Sequence, residues 1–341
     1  MEIREYICES VFKNQAQKLS RSVSEHFGIS RQAAQKHVKK LVDEGILIMS
    51  GTTNSAKYKL ASMSDKSTMF KISPEINEDV VWRSFIRPEL DEIPHNVLSI
   101  CQYGFTEMFN NVIDHSEGTD VIVAVQRSAY HLELSVKDNG VGIFRKIKRV
   151  FGLDDERHAI LELSKGKLTS DPSRHSGEGI FFTSRMFDRF AILSGKQYFS
   201  HTTEHDDWLL DVEENGEGTS VFMEIRVNSK RTTKEIFEEY ATTDHPGFYK
   251  THVPVALAQY GDENMVSRSQ AKRVLARVDK FTEVILDFKG VMEVGQAFVD
   301  EIFRVFSQSH PEVHLFYINA NDSIEWMIRR ALASNESGFS I

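Results

Sequence analysis

The chain lacks the marks that would place it outside a cell or in a membrane. It carries two cysteines, Cys8 and Cys101, far apart in sequence, and its opening stretch MEIREYICES has no apolar run of the kind that directs secretion. Together these predict a reducing, cytoplasmic setting without a disulfide framework. No segment approaches the roughly 20 apolar residues that a membrane-spanning helix needs, so no membrane association is expected. Two phosphate-binding signatures are missing as well. No GxGxxG follows an early strand of a βαβ unit, and there is no GxxxxGK[ST], which excludes the dinucleotide and P-loop routes to nucleotide binding. Nor is there a long heptad seam that would force a coiled-coil dimer.

A length of 341 residues exceeds one comfortable hydrophobic core and predicts two or three domains, which 40% hydrophobic content is enough to build. The net charge of −9 argues against general affinity for nucleic acid, but it is uneven. Residues 1–62 hold seven Lys and three Arg against five Glu and one Asp, a balance of +4, so the remainder carries −13. A basic N-terminal domain on an acidic body is the asymmetry of a DNA-binding module attached to something else.

Within 1–62, helices are predicted over about 2–18, 20–27 and 30–44. The last two are joined by FGIS, where Gly28 permits a tight turn and Ser30 can cap the next helix. That helix turns Ala33, Ala34, Val38, Leu41 and Val42 inward and Arg31, Gln32, Gln35, Lys36 and Lys39 outward, side chains able to reach base edges and phosphates. A hairpin around a Gly-Thr-Thr-Asn turn follows, carrying Lys57 and Lys59. The segment resembles a winged helix-turn-helix domain, which implies DNA as a partner; the competing reading is a small helical domain for protein contact or dimerisation. Polar residues 63–79 then read as a linker.

Four motifs follow in order. FTEMFNNVIDHS puts Phe105, Met108, Phe109, Val112 and Ile113 on a buried helical stripe and Glu107, Asn111 and His115 on a second face, one turn apart. Two strand-like runs come next, the second leading into Asp138-Asn139-Gly140-Val141-Gly142, where a carboxylate at a strand end meets glycines that let the backbone come close. RHSGEGIFF sets Gly177 and Gly179 ahead of a helix, whose free amides could receive phosphate oxygens. ENGEGTSVFMEI opens a strand at Thr219. Taken singly, each is an ordinary helix, turn or hairpin.

In combination the order E-x-x-x-N, D-x-G-x-G, G-x-G and G-x-G-T resembles the GHKL ATP-binding fold of histidine kinases, anti-sigma-factor kinases, gyrase and related chaperones, over about 80–227. The resemblance implies ATP and Mg²⁺ as ligands. Asn111 would coordinate the metal, Glu107 would orient or deprotonate the attacking group, and Asp138 would accept a hydrogen bond from the adenine amino group with Thr219 beside it. Gly140 and Gly142 would leave room for the nucleotide, and Gly177 and Gly179 would touch phosphate. LSKGKLTSDPSRHS would be a lid, in which Lys165, Lys167 and Arg174 are either partners for the terminal phosphate or solvated charges. One departure stands out: Phe181 occupies the place of a third glycine. His115 belongs to the binding helix rather than to a phosphoacceptor hairpin, and the two His of HTTEHDD read as a polar loop rather than a metal site.

Residues 228–246 read as a connector, and 247–341 alternate strand and helix as a small α/β domain. VILDFKGVMEVGQAFVDEIF looks like the core of a STAS-like domain. Where phosphorylated STAS proteins open a helix with serine, this chain has Gly295, Gln296 and Ala297, so docking to a protein partner rather than phosphorylation is implied. The expected architecture is therefore multidomain α+β: a winged helix-turn-helix, a GHKL (Bergerat) α/β sandwich and a small STAS-like α/β domain. The expected function is an ATP-binding, slowly ATP-hydrolysing DNA-binding transcription regulator. The alternatives are a protein serine or threonine kinase, like the anti-sigma-factor kinases, acting on a separate STAS-type partner, and a GHKL domain without hydrolysis, against which the presence of both Glu107 and Asn111 speaks. Pairing into a homodimer is compatible with the resemblance.

Overall fold

The computed structural model describes residues 2–14, 18–51, 56–169, 176–203, 208–213, 216–242, 247–259 and 264–336. At the N-terminus, α1 (Ile3–Phe12), α2 (Leu19–Phe27) and α3 (Arg31–Asp43) precede an antiparallel pair, β1 (Leu47–Ser50) and β2 (Lys57–Leu60). The first helix is shorter than the predicted 2–18, because Asn14 has left-handed backbone geometry (φ 56°) that ends it. Ser30 caps α3 as its hydroxyl implies, accepting from the Ala33 amide at 3.2 Å. Ile7, Leu19, Val23, Ala34, Val38 and Leu41 form a core that Tyr130 of the next domain joins. The Gly-Thr-Thr-Asn turn lies mostly outside the described residues.

Residues 63–79 do not form a linker throughout. β3 (Ser62–Lys71) pairs along its length with β4 (Asp120–Ser128), from Ser62 opposite Ser128 to Lys71 opposite Asp120. It is an edge strand with most side chains exposed, so its sequence is polar and gives little alternation to read. β5 (His131–Asp138) follows β4, and after the helices come β6 (Arg189–Ser194), β7 (Gln197–Thr202), β8 (Trp208–Asp211) and β9 (Thr219–Arg226). The sheet runs β3-β4-β5-β9-β6-β7-β8 with antiparallel neighbours throughout.

Along β4, β5 and β9, Val121, Val123, Val125, Leu132, Leu134, Val136, Val221, Met223 and Ile225 are buried in alternation, which gives the sheet one apolar face. Helices cover it. α4 (Glu78–Val81), capped by Asn77, runs on through a π-helical segment at Trp82–Ile86; α5 (His95–His115) is the long central helix; α6 (Ile143–Phe151), α7 (Glu156–Lys165) and α8 (Gly179–Met186) complete the layer. The predicted stripe of α5 holds, with Phe105, Met108, Phe109 and Val112 buried.

α9 (Thr233–Glu239), closed by a Thr232–Glu235 capping box, leads to the C-terminal domain. There β10 (Lys250–Pro254), β11 (Glu283–Asp287) and β12 (His314–Ile318) form a parallel sheet in that order. α10 (Arg268–Leu275) precedes β11. α11 (Gln296–Asp300) continues through a π-helical segment at Glu301–Phe306 into α12 (Ser307–Ser309), and α13 (Asp322–Glu336) follows β12. The alternation read from the sequence is the one observed, and the whole is a mixed α+β, multidomain chain. No helix among the described residues is long and apolar enough to cross a membrane.

Candidate functional site

A cavity of ≈ 290 Å³ lies between α5, α6, α8 and the ends of β5 and β9. Glu107, Asn111, Asp138, Gly142, Gly177, Gly179 and Thr219, drawn from distant parts of the sequence, all line it. Met108, Val112, Ile143, Ile147, Val150, Phe151, Leu163 and Val221 supply apolar walls. A mostly apolar cleft with a few convergent polar groups has the general build that small-molecule pockets share.

Asp138 is almost fully buried at the end of β5 and accepts from the Gly140 amide at 2.8 Å. Burial pushes its carboxyl above the ordinary range, and the amides of Gly140 and Thr219 partly restrain the shift. Thr219 is itself engaged, its hydroxyl accepting from the Ile143 amide at 2.9 Å and so fixing the start of α6 against β9. Gly140 does not line the cavity; a side-chain carbon there would overlap the Ser116 carbonyl, so its role is to let that strand-end turn close on the end of α5. Gly179 is needed for a different reason. A Cβ at that position would overlap the Glu107 carboxylate, which lies against the first turn of α8. Tyr103, one turn before Glu107, has its phenol pushed well up by burial and then by the charges of Glu107 and Glu178.

Two of the three cations of the expected lid, Lys165 and Lys167, are engaged by the C-terminal domain. Lys165 does not face the cavity: it is buried, and its ammonium donates to Glu162 at 2.6 Å and to the Arg273 and Ala276 carbonyls at 2.9 Å, closing the C-terminus of α10 in the next domain. Lys167 donates to the Lys280 carbonyl at 2.9 Å and lies over the Tyr249 and Phe281 rings. Arg174 lies outside the described residues. Instead Lys146 of α6 lines the cavity, donating to the His115 carbonyl at 2.6 Å and pairing with Glu117 at 3.2 Å. Sequence reasoning missed α6 altogether, although IFRKIKRVF has apolar residues at 143, 144, 147, 150 and 151, the spacing of one helix face.

The departure at Phe181 has a structural reason. The ring is buried within 4.8 Å of Tyr240 and 4.6 Å of Phe248, centroid to centroid, so the position where a glycine would loosen the turn anchors the C-terminal domain. Glu162, fully buried in α7, also meets that domain through Arg277 at 3.3 Å; burial alone would raise its carboxyl, but His158 and Lys165 outweigh it and hold the group below the ordinary range.

On the N-terminal domain, Arg31, Gln32, Gln35, Lys36 and Lys39 are exposed along α3, with His37 and Lys40 beside them, and Lys57 is exposed on β2. Gln35 also accepts from the Ser20 hydroxyl. Among the described residues no group of three or more His, Cys, Asp or Glu could hold a metal by itself.

Residues 270–325 match a family described as a STAS-like domain of unknown function (DUF4325). The C-terminal domain is thus STAS-like, in agreement with the VILDFKG core and its parallel sheet. No curated protein matches the chain.

Proposed function

We propose that this is an ATP-binding transcription regulator: MgATP occupies the central cavity in the manner of GHKL proteins, and the N-terminal domain binds DNA as a winged helix-turn-helix. The observation that carries the first part is the convergence of Glu107, Asn111, Asp138, Gly177, Gly179 and Thr219 on one cavity. The buried Asp138 offers a carboxylate acceptor for an amino group at the apolar end. The first turn of α8 borders the same cavity through Gly179 and Ile180, and a helix N-terminus favours an anion. Asn111 and Glu107 present one amide oxygen and one carboxylate, a donor set that fits Mg²⁺, a hard cation that keeps several waters and takes its remaining ligands from phosphate. Bound MgATP would supply a transferable terminal phosphoryl group. Glu107 would hold the attacking water and take its proton, Asn111 would orient the metal, and the walls from α6 would exclude bulk solvent. The exposed polar and basic side chains of α3 support the DNA assignment.

A second reading, a kinase acting on a hydroxyl of another chain, is favoured by the presence of the STAS-like domain, whose α11 opens with Gly295, Gln296 and Ala297 and so offers no acceptor there. Turnover of γ-labelled ATP with Mg²⁺, following free phosphate and protein-bound label, separates the two. Free phosphate that is lost in Glu107→Ala, with nucleotide affinity kept, supports the ATPase; label on a co-purifying protein supports the kinase. Asp138→Ala should lose affinity itself, and equal loss of binding in both variants would remove these roles.

A further inference from the structure

The STAS-like domain meets the central domain along α7, the start of α8 and the segment that follows α7. Arg277 reaches three separate pieces of its wall. Its guanidinium lies over the ring of Phe151, 5.1 Å from the centroid, and Phe151 lines the cavity from the end of α6. Its Nε pairs with Glu162 Oε2 at 3.3 Å, next to the lining residue Leu163. Its Nη2 donates to the Lys167 carbonyl at 2.7 Å, next to the lining residues Leu168 and Thr169. Lys167 has left-handed backbone geometry (φ 53°), as does Arg277 (φ 62°), a conformation that costs energy for a residue with a side chain and persists only where surrounding contacts over-determine it. Those contacts are present: the Lys167 ammonium is held by the Lys280 carbonyl and the Tyr249 and Phe281 rings, and the Thr251 hydroxyl donates to the Lys165 carbonyl at 2.6 Å. Leu168 then donates to the Gly177 carbonyl at 3.2 Å, carrying this geometry to a glycine that lines the cavity.

We propose that Arg277 is a positioning residue for the cavity, and that the STAS-like domain acts through it as a clamp on the cavity wall, so that ligand binding and the seating of that domain are linked. A glue between domains needs contacts anywhere along the interface. Here all three contacts of one guanidinium fall on lining residues or their chain neighbours, and Arg273 adds a link from Asp154, beyond α6, to Lys165 at the end of α7. A ligand that favours one wall arrangement must then favour one seating of the STAS-like domain, and any partner that distinguishes those seatings must alter ligand affinity by the same factor as the ligand alters the partner's. Naming MgATP as the ligand rests on the function proposed above; the clamp itself does not.

Amide hydrogen exchange on the full ligand-free chain tests the clamp. Arg277→Ala, and Arg277→Lys, which keeps a charge opposite Glu162 and serves if the alanine variant fails to fold, should speed exchange of amides in 147–152 and 166–169 by about fivefold or more while leaving β4 and β5 unchanged. Unchanged exchange at the wall in the folded variant overturns the proposal, as does a rise spread evenly over the chain. In the second arm, Arg277→Lys should weaken MgADP binding by about tenfold, and MgADP should slow exchange of 248–251 and 278–281 in the parent but not in the variant. Equal affinity of parent and variant overturns the linkage. A parent that binds no nucleotide overturns the ATP reading alone, and the ligand-free exchange still decides the clamp.

Discussion

Glu224 and Glu133 stand directly opposite each other on β9 and β5, on the sheet face away from Val221, Met223 and the helices. Partial burial lifts the Glu224 carboxyl to about 7, with the Arg189 charge opposing and Glu133 and Asp188 adding to the shift. A proton held more tightly in the folded chain than in the unfolded one stabilises folding below the ordinary carboxylate range, and that contribution is lost as pH rises toward 7. Glu224→Gln should therefore match the parent near pH 4 and exceed its stability at pH 8, by on the order of 1–2 kcal/mol once solvent screening is allowed for. Urea denaturation at the two pH values reads this directly; the same difference at both would show that charge at Glu224 is not the cause. Asp138 shows how one residue type takes different duties. Its carboxyl is also raised by burial, but it sits in the cavity with two amides on it, whereas Glu224 faces a carboxylate.

At the scale of elements, α3 and α5 are both amphipathic but spend their polar faces differently. In α5 the polar face carrying Glu107 and Asn111 is covered by α8 and turned into a cavity wall. In α3 the corresponding face is exposed and carries Arg31, Lys36 and Lys39, whereas Lys165 is buried against its acceptors. If α3 enters a groove of DNA, Arg31→Ala with Lys36→Ala should weaken binding and lower the slope of log affinity against log salt by roughly 2, since each lost phosphate contact removes about one released counterion. Fluorescence anisotropy across a salt series measures it. An unchanged slope would turn α3 into a surface for protein contact.

For the whole molecule, the buried apolar residues divide in two. One continuous cluster runs from Val81 of the central domain to Ala331 of the STAS-like domain, through Phe181, Tyr240 and Phe248. The N-terminal core is separate and meets the rest through Tyr130, with the Phe12 ring 5.5 Å from the Tyr130 ring and Asn228 donating to Glu5 at 2.6 Å. Cooperativity follows shared burial. Calorimetry should show two transitions, a smaller one for the N-terminal domain and a larger one in which the central and STAS-like domains unfold together. Phe248→Ala should lower the larger transition and leave the smaller in place, at a cost of about 3–5 kcal/mol for a buried ring. Three independent transitions would mean that the shared cluster does not couple the two domains.

The sequence alone determined what depends on short-range pattern. The stripe of α5, the strands at 120–128 and 131–138, the cap at Ser30 and the alternation of the C-terminal domain are fixed by side-chain period and local hydrogen bonding, and they could be read without coordinates. Glu107, Asn111, Asp138 and Thr219 could be named in advance as well, but only through the family resemblance carried by the order of the four motifs; Lys146, Thr169 and Ser176 line the same cavity and had no such signal. Tertiary structure decided what depends on distant partners. β3 looks like a linker because an edge strand owes its order to β4 and not to its own apolar content. Lys165 looks like a phosphate ligand or a free charge because its three acceptors come from Glu162 and from carbonyls more than a hundred residues away. Phe181 looks like a lost glycine until Tyr240 and Phe248 close around it. A local pattern records the face a residue presents, and only packing determines what that face meets.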